Sequence, residues 1–196
     1  MMRLGLIAFA GLLVSATAGA QQRPADHEFD RILSSVLDYH SRSVGRYGRG
    51  TCVARETSSP LRASALFVFA FVDEDPSRPA SSDYPGAWRT PVQPDGVRTS
   101  NSLHAVELNR LLLVARESLS SEDITEIPGA IVPRRFRLVS SPSLCRHFPS
   151  IRLSTPVIVG DVAFVEDVGR YGATLIALRR NDAGWAVIAW TGLYVV

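Results

Sequence analysis

Few residues in this chain stand where side-chain chemistry usually begins. Histidines are scattered at 27, 40, 104 and 147. His27 and Asp30 share a helix face by spacing, but at an exposed helix start, whereas zinc asks for two or more such ligands with carboxylates close by. No metal site is expected. Glu166 and Asp167 are adjacent in a β-rich run, and adjacent strand residues point to opposite faces, so they make no catalytic pair. Glu166 alternates with Val162 and Phe164; if that face is inward an arginine must neutralise it, and Arg179 or Arg180 on the following strand is the expected partner. Cys145 and His147 are two apart, which suits a thiolate nucleophile only if the thiol is free.

The common catalytic signatures are missing. There is no Gly-x-Ser-x-Gly elbow, no Cys-x-x-Cys, no dinucleotide fingerprint, and His27-Glu28 is followed by Phe29-Asp30-Arg31 instead of completing a zinc helix. The glycine-rich GRYGRG at 45–50 precedes a strand and has the wrong spacing for a phosphate cradle, so it reads as a turn. All 21 basic residues are arginine, which removes Schiff-base lysines, P-loop lysines and serine–lysine dyads. No cofactor is expected.

One charge asymmetry remains. From Ile127 to Gly160 there is no acid, while Arg134, Arg135, Arg137, Arg146 and Arg152 all fall there. In RRFRL, Arg135 and Arg137 can share one strand face, and forked guanidinium donors suit phosphate or carboxylate. The two readings are a solvated rim that pairs with acids elsewhere and an anion-binding surface.

The first residues set the compartment. Arg3, the apolar run Leu4 to Val14 and the small residues Ala18-Gly19-Ala20 form a secretory signal peptide over 1–20, cut after Ala20. The run is too short and too rich in small residues for a spanning helix. Cleavage leaves 20 arginines against 19 acids, a balance that gives no global attraction to nucleic acid or to an anionic membrane. In an oxidising compartment Cys52 and Cys145 are most simply one disulfide, and such a bridge excludes the thiolate nucleophile.

The elements follow from periodicity. From Pro24 to about Ser41, Phe29, Ile32, Leu33, Val36 and Leu37 recur on one helix face. Thr51 to Glu56 reads as a short strand, and Ala63 to Val72 as a buried strand or a short helix. The stretch 75–101 holds five prolines with Tyr84 and Trp88 between them, a long surface loop and a candidate binding loop. Leu103 to Leu119 carries Ala105, Leu108, Leu112, Ala115 and Leu119 on one stripe, a second helix. The last third holds four β-rich runs separated by Gly160-Asp161, by Gly169 to Gly172 and by NDAG at 181–184, an antiparallel meander. Pro156 places its strand at an edge or a bulge. In the final run Trp185, Val187, Ala189, Leu193 and Val195 alternate with Ile188, Trp190, Tyr194 and Val196, so both faces need cover.

These elements predict a single α+β domain over 21–196, two helices packed on a curved antiparallel sheet. The order, helix first and meander last, resembles the cone-shaped fold of nuclear transport factor 2-like domains in architecture, with no motif of that family. The functional expectation is an exported, periplasmic or secreted, non-enzymatic domain that binds a small ligand or a partner protein, with no nucleic acid and no stable membrane insertion. Trp190, Tyr194, Glu166 and Arg179 are its expected ligand-binding residues, and Arg135 and Arg137 its anion-binding surface. Two rivals are a small hydrolase or isomerase using the same pocket, and an inhibitor or immunity-type protein acting through its loop.

Overall fold

A computed structural model describes residues 24–42, 50–61, 88–91, 102–117, 124–145, 147–169 and 172–195. The expected signal peptide at 1–20, the apolar run at 63–72 and all of the proline-rich stretch at 75–101 except 88–91 lie outside the described residues.

Helix α1 spans Pro24–Arg42. Pro24 occupies its first position, where a missing N–H costs nothing, and His40 and Arg42 stand in its last turn, at the negative end of the helix dipole. Its stripe is Ile32, Leu33, Val36 and Leu37, all buried, each such side chain contributing about 1.5–3 kcal/mol on leaving water. Helix α2 spans Ser102–Glu117 and buries Leu108, Leu112 and Ala115.

The described strands are β1 (Cys52–Ala54), β2 (Arg137–Val139), β3 (Ser150–Leu153), β4 (Val157–Val159), β5 (Val162–Gly169), β6 (Gly172–Asn181) and β7 (Gly184–Val195). They form one curved, open sheet in the order β2-β1-β3-β5-β6-β7, with β4 also paired to β5. The fold is α+β, as expected, and it ends in the expected meander, β5 to β7.

The sheet is mixed where an antiparallel one was expected: β1 runs parallel to both β2 and β3. Parallel neighbours need crossovers, and the long excursion between β1 and β2 supplies one. The ten residues between β2 and β3 supply the other, carrying the chain over β1, which lies between those strands.

The expected strand SIRLSTPVIV, 150–159, is two strands. Pro156, without an N–H to donate, lies in the break, after which β4 takes up pairing with the first part of β5 while β3 holds its last part. Gly160 (φ +63°) turns β4 into β5, and Gly184 (φ +119°) follows the turn after β6, both in the conformation that favours glycine.

Two cores fill the two faces. On one, α1 meets Val53, Ile151, Leu153, Ala163, Val165, Ile176 and Leu178. On the other, α2 and Leu61 meet Val162, Phe164, Leu175, Ala177, Ala189 and Leu193. The alternation expected along β7 does not hold, because Ala177 pairs with Ala189 while Leu178 pairs with Val187. Ile188 is thus one residue extra, and a bulge of one residue exchanges the faces of everything beyond it. Trp185, Val187 and Trp190 therefore belong to the α1 side, and Ala189 and Leu193 to the α2 side.

Candidate functional site

The four residues expected to line a pocket do not converge. Glu166 is fully buried on the α2 side, in the row Glu166, Leu175 and Thr191. Trp190 lies in the next row, with Val165 and Ile176, on the α1 side. The two side chains leave opposite faces of the sheet. Tyr194 is placed by backbone register opposite Ala173. Arg179 sits opposite Val162, four strand residues and roughly 13 Å from the Glu166 row. It ion-pairs with Glu107 of α2 and with Asp161 at 3.3 Å, and Arg180 pairs with Glu28 of α1 at 3.1 Å. Neither arginine is the partner of Glu166, because antiparallel registry sends both toward the Asp161 end of the strand. Ser154 Oγ accepts the Glu166 backbone N–H at 2.9 Å, and Ser154 N–H donates to the Glu166 carbonyl at 2.8 Å.

The other strand acid is also inside. Asp167 is 2 % exposed and points to the α1 side, where His40 Nε2 lies 3.2 Å from its Oδ2. No sequence pattern pairs these two residues. The signal for His40 is the helix stripe, since Leu33, Val36, Leu37 and His40 continue one face of α1 into the buried set. A histidine oriented by a carboxylate can serve as a general base when its other nitrogen reaches a substrate. Here the pair stands where α1 meets the sheet, and Arg135 NH2 donates to the His40 carbonyl at 3.3 Å.

That contact separates the two expected anion-binding arginines. Arg135 precedes β2 and turns to the C-terminus of α1, where orphan carbonyls welcome a cation. Arg137, inside β2, shares a face with Val139 and Cys52. On the same face of β3, Arg152 is exposed. Among the described residues Arg42, Arg55, Arg179 and Arg180 pair with acids, and no acid pairs with Arg134, Arg137 or Arg152.

The disulfide lies between them. Cys52 and Cys145, 93 residues apart, are bridged with Cα atoms 6.3 Å apart, because the β2–β3 crossover passes directly over Cys52. A short 3-10 turn, Pro142–Leu144, precedes Cys145, and Phe148 N–H closes a second turn onto the Cys145 carbonyl at 3.2 Å. In this knuckle Cys145 is buried while Ser143, Leu144, His147, Phe148 and Pro149 are exposed. Gly50 (φ +88°) accepts the Phe148 ring, since a Cβ there would lie 2.9 Å from it.

The described part of the proline-rich stretch docks beside β7. Arg89 exchanges two backbone hydrogen bonds with Trp190, at 2.7 and 2.9 Å, and its guanidinium stands 5.2 Å from that ring's centroid. Trp88 Nε1 donates to Asn109 Oδ1 of α2 at 2.8 Å. Here Trp88 packs on the core beside Phe164.

Among the described residues no group of three or more His, Cys, Asp or Glu could hold a metal ion, and no helix is long and apolar enough to cross a membrane. No protein-family model matches the chain, nor does any curated protein or solved structure.

Proposed function

We propose that this protein is an exported, non-enzymatic binding domain, and that it takes an anionic ligand or partner on the arginine-bearing end of its sheet. The observation that carries this reading is that Arg137 and Arg152 are both exposed on one side of the sheet, on either side of the disulfide, with no acid paired to them among the described residues. One exposed guanidinium–carboxylate contact is worth only about 0.2–1 kcal/mol, so the ligand is multivalent. The disulfide, which persists in oxidising compartments, and the signal-peptide pattern over 1–20 support export.

Calorimetric titration with inorganic tripolyphosphate tests the proposal. The expected result is saturable binding that weakens as salt rises and is lost in Arg137→Glu/Arg152→Glu protein that still unfolds cooperatively. No binding by the wild type at low salt, or unchanged binding by the double variant, overturns it.

A second reading is favoured by one observation, the His40–Asp167 pair: a hydrolase or isomerase in which Asp167 orients His40 as a base. It requires a turnover that Asp167→Asn abolishes while the fold persists, and a variant that merely unfolds removes its support.

A further inference from the structure

We infer that the knuckle around Cys145, together with the arginines beside it, is a docking surface for an anionic lipid bilayer. The inference rests on the anion-binding reading above and names the partner. Two kinds of group, usually kept apart, meet here. Leu144 is 67 % exposed and Phe148 45 %, large apolar side chains on the two turns that flank Cys145. Arg137 and Arg152 flank the turn: β2 and β3 stand one strand to either side of Cys52, so their Cα atoms are separated by roughly 9.6 Å across the sheet and roughly 7 Å along it.

The register brings the two kinds together. Arg137 N–H donates to the Thr51 carbonyl at 2.9 Å, and Cys52 N–H to the Pro149 carbonyl at 2.9 Å. Gly50 backs the Phe148 ring and also donates to the Arg135 carbonyl at 3.2 Å. Phe148 and Arg137 therefore lie at the same end of the sheet. The disulfide and the two tight turns hold the knuckle in place before it meets anything, so ordering costs are small. Exposed apolar tips ringed by cations suit an interface whose outer layer is anionic and whose next layer is hydrocarbon.

Among the described residues Glu166 is buried and Glu126 pairs with Arg55, while Glu56, beyond the far end of β1, is roughly 13 Å along the sheet from Cys52 and Arg137 and roughly 7 Å from the level of Arg152, so Arg137 lies past the roughly 8 Å screening length from it and Arg152 does not. The whole chain is nearly neutral, so nothing steers it from afar, but among the described residues exposed Arg134, Arg135 and Arg137 gather at one end of this face. Each arginine held at an anionic leaflet contributes roughly fivefold in partition, which makes the adsorption peripheral and salt-sensitive, without insertion of the fold.

The test is sedimentation of the full mature protein with vesicles of phosphatidylglycerol and phosphatidylcholine, against vesicles of phosphatidylcholine alone. The expected result is sedimentation with the anionic vesicles only, reduced at least tenfold in partition by Arg137→Glu/Arg152→Glu and also reduced by Leu144→Ser/Phe148→Ser. If a variant fails to fold, Leu144→Trp gives a second readout, a blue shift in emission relative to wild type on adding anionic vesicles. Tripolyphosphate binding without vesicle binding overturns the bilayer and leaves the anion-binding reading standing, whereas failure of both removes both. Capture by polyglutamate but not by vesicles replaces the bilayer with an acidic polypeptide, and vesicle binding that neither variant pair reduces places the surface elsewhere.

Discussion

His40 Nε2 lies 3.2 Å from Asp167 Oδ2, joining the last turn of α1 to the sheet with both side chains almost wholly buried. The pair closes one end of the α1 core, next to the point where Arg135 reaches the helix C-terminus. Breaking a buried pair by removing one member leaves the other without its partner in a poor solvent, a loss of about 3–5 kcal/mol when both are charged. Asp167→Ala is accordingly expected to lower the urea midpoint steeply. His40→Phe/Asp167→Leu, which removes both polar groups and fills the space, is expected to recover much of that loss. Equal midpoints for Asp167→Ala and wild type show that the pair does not brace the helix.

Helix α1 was legible because its stripe is pure period 3.6 and its neighbours are polar. The meander was legible because glycines punctuate its runs, and Gly160 and Gly184 take the positive φ that their turns need. Two things were hidden. The parallel placement of β1 depends on a partner more than eighty residues away, and no local pattern encodes that. The bulge at Ile188 exchanges the faces of β7 while every residue around it remains apolar, so the sequence looks the same for either register. The expected pocket required Trp190 and Glu166 on one face, and the register places them on opposite faces. His40 was readable as the next step of the α1 stripe, but its partner is set by the sheet.

The disulfide closes a long loop, and the chain-entropy model values it at about 4–5 kcal/mol. The bridge also ties the β2–β3 crossover down to β1. Cys52→Ala/Cys145→Ala protein is expected to unfold at lower urea by several kcal/mol and to lose protection of the 140–149 amides in hydrogen exchange. Retained protection there shows that hydrogen bonds such as that from Cys52 N–H to the Pro149 carbonyl hold the crossover unaided.

Gly50 is held at φ +88°, with its α-carbon turned to the Phe148 ring. An L side chain in that conformation costs about 1–2 kcal/mol, and here the added methyl also strikes the ring. Gly50→Ala is expected to destabilise by at least that amount and to displace Phe148, seen as a shift of its ring resonances. Phe148→Ala/Gly50→Ala removes the clash and leaves only the backbone strain, so the double variant is expected to lose less than the sum of the single losses. Strict additivity means that ring and glycine are not in contact.

Arg179 provides the contrast to Arg137. Its guanidinium is committed to Glu107 of α2 and to Asp161 beside β5, so its work is to fasten a helix to the sheet. Both acids are about half exposed or more, which limits the pair to about 1 kcal/mol. Arg179→Met, keeping most of the stem, is expected to cost no more than that in urea unfolding and to leave tripolyphosphate titration unchanged. Arg137→Glu is expected to show the reverse, near-native stability with weakened titration. If Arg179→Met instead abolishes tripolyphosphate binding, the anion sits at the α2 end of the sheet, and the exposed arginines beside the disulfide are a solvated rim.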